Sequence, residues 1–398
     1  MKSKVAIKYC DTYDLDKLEN VFKEILILLY GESIPFKKGE KVLLKPNLLT
    51  DAAPEYAITT HPIFVQAVVR VFKNMGLKIA IADIPAGHRL EKNLDKVYSI
   101  TGMADVAKKE NVHLLTETKF VQEDGIIFSS WMKEFDHIVS LPKLKTHSQM
   151  ILTGAVKNMF GLIPRLYRVN LHRDFIKPDD FAVLLLEIYK KCKPTISFVD
   201  GIIALEGNGP AHNGIPKNIG LIAASSDALA LDSILAKIIG LNPEDISTNK
   251  IGKLKNLGIT DLKNIEIKGD KIEKFLGADF KLPPKYILKN APELLLKILK
   301  KSAEFRPKVD KTKCTACRIC VENCPLAAID IKNKIANINY KKCIDCFCCL
   351  EVCPIGAMKT KSGPLIYVLK YISHLKTLVI RLKNRKKSLL DKVKTAEE

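Results

Sequence analysis

Eight cysteines in two runs carry the strongest chemical signal in the chain. The first run is Cys314-Thr-Ala-Cys317-Arg-Ile-Cys320-Val-Glu-Asn-Cys324-Pro325. The second is Cys343-Ile-Asp-Cys346-Phe-Cys-Cys349-Leu-Glu-Val-Cys353-Pro354. Both read C-x2-C-x2-C-x3-C-P, a spacing that holds 4Fe–4S cubanes. Three thiolates on a tight loop reach three corners of one cubane. The fourth sits on the following helix and points toward the other cubane. Two 4Fe–4S clusters are therefore expected, one on Cys314, Cys317, Cys320 and Cys353 and one on Cys343, Cys346, Cys349 and Cys324. The alternative is zinc, but zinc sites use cysteine pairs rather than two four-cysteine runs each closed by proline. Cubanes of this type move single electrons at low potential, which favours difficult reductions. Cys348 lies between two ligands and reads as a bystander or a rescue ligand. Cys10 and Cys192 read as small buried hydrophobes.

A second group of reactive side chains follows short apolar runs further upstream. Lys45-Pro46-Asn47 follows Lys41–Leu44, and Asp83 to Arg89 follows Lys78–Ala82. Lys143, Lys145 and His147 follow His137–Leu141, and Lys157 and Asn158 extend that cluster between Gly154 and Gly161. Asp200-Gly201 and Glu206-Gly-Asn-Gly-Pro210 follow Thr195–Val199. Lysines supply point charges for phosphate or carboxylate, histidine transfers protons near neutral pH, and glycines let backbone N–H groups approach an anion. His147 and Lys145 are the candidate catalytic residues. Lys45, Asn47, Lys143, Lys157, Asn158 and Asp200 are the candidate substrate-binding ones. Each also has a plain structural reading. Asp200-Gly201 suits a turn, Ser226 or Asp227 suits a helix cap, and Thr60-His61-Pro62 suits a helix start with Thr60 as N-cap.

The elements that must position these residues alternate. Candidate strands are Val5–Tyr9, Lys41–Leu44, Lys78–Ala82, His137–Leu141, Thr195–Val199 and Ile219–Ala223. Helical spacing covers Leu15–Tyr30, Ile63–Met75, Phe181–Lys191, Ala228–Ile239 and Pro243–Leu257. This order predicts an α/β fold, a mostly parallel sheet with helices on both faces, over residues 1–285. In such sheets ligands bind beyond the carboxyl ends of strands, where the lysines and His147 fall. Pro283-Pro284 marks a break, and 286–306 reads as a helical linker. Residues 307–360 form a small α+β unit with a hairpin between the cysteine runs. Residues 361–398 form a basic amphipathic helix, with Leu365, Val368, Ile372, Leu375 and Val379 at helical spacing.

Composition narrows the class. The chain has 398 residues and a formal net charge of +20, so acidic partners, anionic lipid or anionic substrates fit it. No basic stretch is interleaved with aromatics, so nucleic acid is not an expected partner. No run reaches the roughly 18–20 apolar residues of a membrane span. The start of the chain has no signal-peptide pattern and the cysteines have metal-ligand spacing, so a cytoplasmic protein is expected. Peripheral membrane contact through 361–398 is one use of the tail. Packing on the protein body or on an acidic partner is another. No G-x-G-x-x-G follows the first strand and no Walker A motif is present, so no nucleotide cofactor is indicated.

Several blocks together carry a family resemblance. They are Leu43-Leu-Lys-Pro-Asn47, Thr59-Thr-His-Pro62, Leu141-Pro-Lys-Leu-Lys-Thr-His147, Thr153-Gly-Ala-Val-Lys-Asn-Met-Phe-Gly161, Glu206-Gly-Asn-Gly-Pro210 and Ser226-Asp-Ala-Leu-Ala-Leu-Asp232. Over about residues 1–270 the chain resembles domain of unknown function 362 (DUF362), and over 307–360 a bacterial-type two-cluster ferredoxin. The resemblance implies the domain layout and the location of a site, and leaves the substrate open. The leading expectation is an iron–sulfur reductase of an anionic small molecule, with an electron-donor or acceptor protein as partner. The alternatives are a non-enzymatic electron carrier or assembly partner whose α/β domain binds another protein, and a membrane-surface reductase of a lipid intermediate.

Overall fold

A computed structural model describes residues 2–86, 90–116, 119–276, 279–283 and 305–362. The chain opens with β1 (Ser3–Tyr9), α1 (Leu15–Tyr30), β2 (Lys41–Pro46), α2 (Pro62–Asn74), β3 (Lys78–Ile81), α3 (Leu90–Ile100) and α4 (Met103–Glu110). Next come β4 (His113–Leu114), β5 (Phe120–Glu123), β6 (Ile126–Ser129), α5 (Trp131–Glu134), β7 (His137–Leu141), β8 (Lys143–His147) and β9 (Ile151–Thr153). They are followed by α6 (Ala155–Asn158), α7 (Arg165–Asp174), α8 (Pro178–Cys192), β10 (Ile196–Gly207), β11 (Gly214–Ser225), α9 (Ala228–Ile238), α10 (Ser247–Leu254) and β12 (Ile265–Gly269). The cysteine-rich unit contains β13 (Phe305–Val309), α11 (Ile319–Glu322), β14 (Ile329–Lys332), β15 (Ile335–Ile338), α12 (Cys348–Glu351) and β16 (Met358–Ser362).

The helices form where apolar residues recur on one face and the ends are capped. In α1, Leu18, Val21, Phe22, Ile25, Leu26 and Leu29 are buried, Asp14 accepts from the Lys17 amide, and Gly31 ends the helix at φ 60°. The start of α2 differs from the expected Thr60 cap. His61 is the N-cap, its Nδ1 accepting from the Ile63 amide. Thr60 instead donates its hydroxyl to the Leu141 carbonyl, which ties the helix start to the end of β7. Asp227 caps α9 through the Leu229 and Ala230 amides.

The central sheet has the order β12-β1-β11-β10-β7-β2-β3-β4. Most pairs are parallel, and β11 runs antiparallel to both β1 and β10. Strand alternation sends Ala6, Val42 and Leu44 to one face and Val5, Ile7 and Leu43 to the other. Helices α1 and α2 cover the first face and α6, α8 and α9 the second, so both faces are buried as a parallel sheet requires. Phe22 meets Phe64 and Phe198 edge to face on the first.

Lys143–His147 was expected to follow a strand as a rim loop; it is itself a strand. β10 is long enough to pair with β7 over its first half and with β8 over its second, Asp200 facing Lys143 and Leu205 facing Lys145. β8 then turns back into β9, with His147 opposite Ile151. In the cysteine-rich unit β14 and β15 make the expected hairpin, while β13 and β16 pair across its two ends. The expected linker helix lies mainly, and the expected tail helix almost wholly, outside the described residues. Residues 305 and 306 belong to β13, and 361 and 362 to β16.

Candidate functional site

The two cysteine runs fold alike. Each loop passes through the left-handed region at the same two places, Ala316 and Arg318 in the first run and Asp345 and Phe347 in the second. These turns curl each loop around a cavity. The first cavity, with about 350 Å³ of empty space that includes open solvent, is lined by Cys314, Cys317, Cys320 and Cys353 among apolar side chains such as Ile319, Ile331 and Met358. The second, with about 360 Å³ of such space, is lined by Cys324, Cys343, Cys346 and Cys349, with Leu326, Ile338 and Phe347. Cys348 also lines the second. Backbone amides of Ala336, Ala357 and Ala328 point at the sulfurs of Cys314, Cys353 and Cys324 at 3.4, 3.2 and 3.1 Å. Amide donors of this kind stabilise thiolate-bound clusters and tune their potential. Among the described residues no three His, Cys, Asp or Glu side chains converge on a point suited to a single ion. The thiols instead surround two small apolar cavities, each with a donor set that fits a cubane.

A third and larger cleft lies where the α/β unit meets the cysteine-rich unit, with about 670 Å³ of empty space that includes open solvent. The ends of β2 and β3 supply Lys45, Asn47 and Asp83. The α6 turn supplies Lys157, Asn158 and Gly161, and α7 supplies Arg165, Arg168 and His172. From the other side come Asn323, Cys348, Glu351 and Val352. The wall thus carries four cations and two carboxylates.

Most of the cleft's polar groups are held in place. Lys45 is fully buried and its Nζ lies 2.6 Å from Asp83, which also accepts from the Leu48 amide at 2.7 Å. Burial pushes the Lys45 ammonium down, and the Asp83 charge opposes the shift. Gly161 is required beside this pair, because a Cβ there would stand 2.4 Å from Asp83 Oδ1 and 2.5 Å from Lys45 Nζ. Asn158 donates to the Lys45 carbonyl and the Ser140 hydroxyl and accepts from Asn47. Arg168 donates to the carbonyls of Ile84 and Pro85 and lies over the Phe160 ring, and burial lowers its pKa to about 10. Lys157 differs from these: among the described residues it has no hydrogen bond or ion pair and only the Phe160 ring near its Nζ. Burial depresses its ammonium, and Glu351 opposes that. His172 stacks on Phe181, its Nδ1 has no hydrogen-bond partner among the described residues, and burial lowers its pKa to about 4.

The remaining residues expected from the sequence stand off the cleft wall. Lys145 is buried and donates to Asn47 Oδ1 at 2.6 Å and to the Ile58 carbonyl at 2.7 Å, so it positions Asn47. Burial and then the Lys157 charge hold its pKa well below the lysine range, which suits a nitrogen facing only neutral acceptors. Lys143 pairs with Asp200 at 2.8 Å, and Tyr13 bridges the two at 3.0 and 2.8 Å. His61 stacks on Tyr13 with ring centroids 3.6 Å apart and donates its amide to Asp200. This closed network braces β8 against β10 and α2, and Lys143 and Asp200 have no face on the cleft.

His147 links the two units. It is fully buried, and its Nδ1 accepts from the Gln149 and Met150 amides, both at 3.1 Å. The proton of the neutral ring is therefore on Nε2, which lies 3.0 Å from Glu351 Oε1 on α12 without straight hydrogen-bond alignment. Burial and then the Lys157 charge lower the His147 pKa to about 4. Burial works against ionisation of Glu351, but His147, Lys157 and His172 together hold its carboxyl well below the usual range. The turn that aims His147 ends at Ile151, a β-branched residue at φ 70°, a conformation such residues rarely adopt. Further contacts between the units are Arg165 to Asn323 at 2.9 Å, Asn208 to Thr360 at 3.2 Å and Asn213 to the Met358 carbonyl at 2.5 Å. The Glu206–Pro210 block thus packs against the cysteine-rich unit. A Cβ on Gly209 would stand 2.4 Å from the Thr146 carbonyl.

The sequence reading missed Arg165, Arg168 and His172. Their spacing of three and seven places them on one face of α7, a signal that was available. It also missed Glu351, whose counterpart Glu322 in the first run is exposed; nothing in the repeat separates the two.

Comparison with known proteins follows the same two-part division. A family model described as domain of unknown function (DUF362) matches residues 42–237, and one described as a 4Fe-4S dicluster domain matches 306–354. The thylakoid-associated protein sll1697 of Synechocystis sp. (strain ATCC 27184 / PCC 6803 / Kazusa) is 32% identical over 261 residues, covering 62% of this chain and 78% of that protein. The lactate racemase apoprotein of Thermoanaerobacterium thermosaccharolyticum is 14% identical with a TM-score of 0.34, over 57% of this chain and 55% of that one. A structural-genomics protein of Thermotoga maritima is 12% identical with a TM-score of 0.36, over 63% and 60%. The chain spans less than two thirds of either solved structure.

Proposed function

Since this chain belongs to the DUF362 family, here joined to a 4Fe–4S ferredoxin-like unit, we propose that it is an iron–sulfur oxidoreductase that reduces an anionic small molecule held in the cleft between its two units. The observation that carries this reading is a shared wall. Cys348 sits between Cys346 and Cys349 and lines both the second cysteine cavity and the cleft. The two sets of four cysteines would each hold a 4Fe–4S cluster, which supplies single electrons at low potential. On the cleft side, Lys157 makes no hydrogen bond or ion pair among the described residues and feels Glu351 only through its charge, so its ammonium can take a carboxylate or phosphate. Arg168 and Lys45 add positive potential from fixed positions, and Asn47 and Asn158 are held by Lys145 and Ser140. Burial strengthens each of these interactions by excluding water. His147 acts as a positioning residue: through Glu351 it fixes α12, and with it Cys348, against the α/β rim.

The test uses anaerobically reconstituted holoprotein, reduced and then mixed with a panel of small carboxylates and phosphate esters. At least one should speed reoxidation of the visible iron–sulfur absorbance. Lys157→Ala should weaken the binding of that compound about 10-fold or more while leaving iron content and Tm unchanged. A panel in which no anion binds, or a bound anion indifferent to Lys157→Ala, would remove the cleft from the function.

A second reading, attachment to a membrane surface, is supported by the basic amphipathic pattern of 361–398 and by the thylakoid association in the relative's name. No helix among the described residues is long and apolar enough to cross a membrane. Co-sedimentation with anionic vesicles should be lost on deletion of residues 363–398. Binding that survives the deletion would clear the tail of this role.

A further inference from the structure

The two cysteine loops share a backbone and differ in what surrounds them. Cys346 and Phe347 of the second loop are buried, Phe347 in the apolar cluster of the cysteine-rich unit. Cys317 and Arg318, at the same positions of the first, are exposed, and Cys317 is the one exposed cysteine among the described residues. Lys311 and Lys313 precede it on the same loop and are exposed too. Among the described residues Lys311, Lys313 and Arg318 make no side-chain hydrogen bond or ion pair. Between residues 305 and 362 eleven Lys and Arg stand against five Asp and Glu. Of those five, Asp310, Asp330, Asp345 and Glu351 are already engaged with Lys359, Lys332, Arg306 and His147.

We propose that the basic loop 311–318 around exposed Cys317 is the docking surface for an acidic one-electron carrier protein. The proposal rests on the electron-transfer reading above and adds the side on which the partner binds. Electron exchange between proteins needs a redox centre near the surface. Exposed Cys317 puts the first cavity there, whereas Cys348 turns the second toward the cleft. These three exposed cations, unpaired among the described residues, complement an acidic surface, steer its approach and lose their effect as salt rises. The exchange is a single electron. The reduced carrier loses one, this chain gains one, and no bond or proton moves.

The test takes full-length, anaerobically reconstituted protein and an acidic bacterial two-cluster ferredoxin as the probe. Two readouts are followed at low salt: association of the two oxidised proteins, and reduction of this chain by the reduced ferredoxin. Lys313→Glu with Arg318→Glu should weaken association and slow reduction about 10-fold or more, with the difference fading at high salt. Lys341→Glu with Lys342→Glu makes the same change of net charge at the second run and should have a clearly smaller effect. Lys313→Gln with Arg318→Gln adds no acidic group, spares the fold, and should give an intermediate loss. Reduction by dithionite should be the same for all. Equal effects of the two charge reversals, or a larger one at Lys341 and Lys342, overturns the proposal. So does a loop variant that loses binding to phosphatidylglycerol vesicles and keeps carrier binding, which would make the loop a membrane contact. If dithionite itself reduces no iron–sulfur centre in the parent protein, the electron-transfer reading fails, and the docking proposal with it.

Discussion

The two four-cysteine runs are one motif used twice, and they differ in their surroundings. At corresponding positions Cys317 faces solvent and Cys346 is buried; Arg318 is exposed and Phe347 is buried. Ile319 lines its own cavity, whereas its counterpart Cys348 lines both a cavity and the cleft. Glu322 is exposed, and Glu351 is buried against His147. The ligand spacing sets the loop and the cavity. The residues between the ligands differ in whether they face solvent or the α/β cleft.

The largest effect should come from removing one ligand of each run. Cys349→Ala and Cys320→Ala should each lower bound iron from about eight to about four atoms per chain. Only Cys349→Ala should abolish reoxidation by a cleft ligand after dithionite reduction. Identical losses in both variants would erase the distinction between the runs. Next come the paired glutamates. Glu351→Ala leaves the buried His147 Nε2–H without its neighbouring carboxylate and should cost about 1–3 kcal/mol of stability. Glu322→Ala, on the exposed counterpart, should stay within about 0.5 kcal/mol. Chemical denaturation of the two variants compares them directly, and similar costs would mean that Glu351 is not braced as described.

Acid should act on the cleft side more than on the first run. The pKa of His172 falls from 6.5 to about 4 on folding. Between those values the unfolded chain binds the extra proton, so stability is complete above about pH 6.5 and is lost as pH falls toward 4. The loss is at most on the order of 3 kcal/mol for this one ring. His172→Phe, which keeps the stack on Phe181, should flatten the fall of Tm over that range. An unchanged slope would assign the acid sensitivity elsewhere. Gly161→Ala should give a smaller loss, about 1–3 kcal/mol, by pushing its Cβ into the Lys45–Asp83 pair. A neutral result would show that the pair has room to move.

Much of the fold was legible because its signals are local. The strands alternate or run apolar, α1 and α2 repeat at helical spacing, and Gly31 and Asp227 sit where caps belong. The cysteine spacing likewise foretells how the cysteines group, Cys314, Cys317, Cys320 and Cys353 around one cavity and Cys324, Cys343, Cys346 and Cys349 around the other. The candidate site was legible only in part. Lys45, Asn47, Lys157 and Asn158 reach the cleft as residues beyond strand ends would. Lys143 and Asp200 do not, because β8 continues the sheet and folds that lysine onto the neighbouring strand. Lys145 and His147 also lie on β8, off the cleft wall, and they act on it through Asn47 and Glu351. The contribution of α12 depends on how two units pack, and no local pattern encodes that. The same holds for the choice between Glu322 and Glu351.

The arrangement of the second cavity against the cleft is tested most directly by anomalous diffraction at the iron edge from anaerobically grown crystals. The expected map has two four-iron centres, one in each cavity, the second in the cavity that shares Cys348 with the cleft. Zinc in place of iron, or a second cavity without a metal centre, would contradict the assignment of that cavity as the electron source for the cleft.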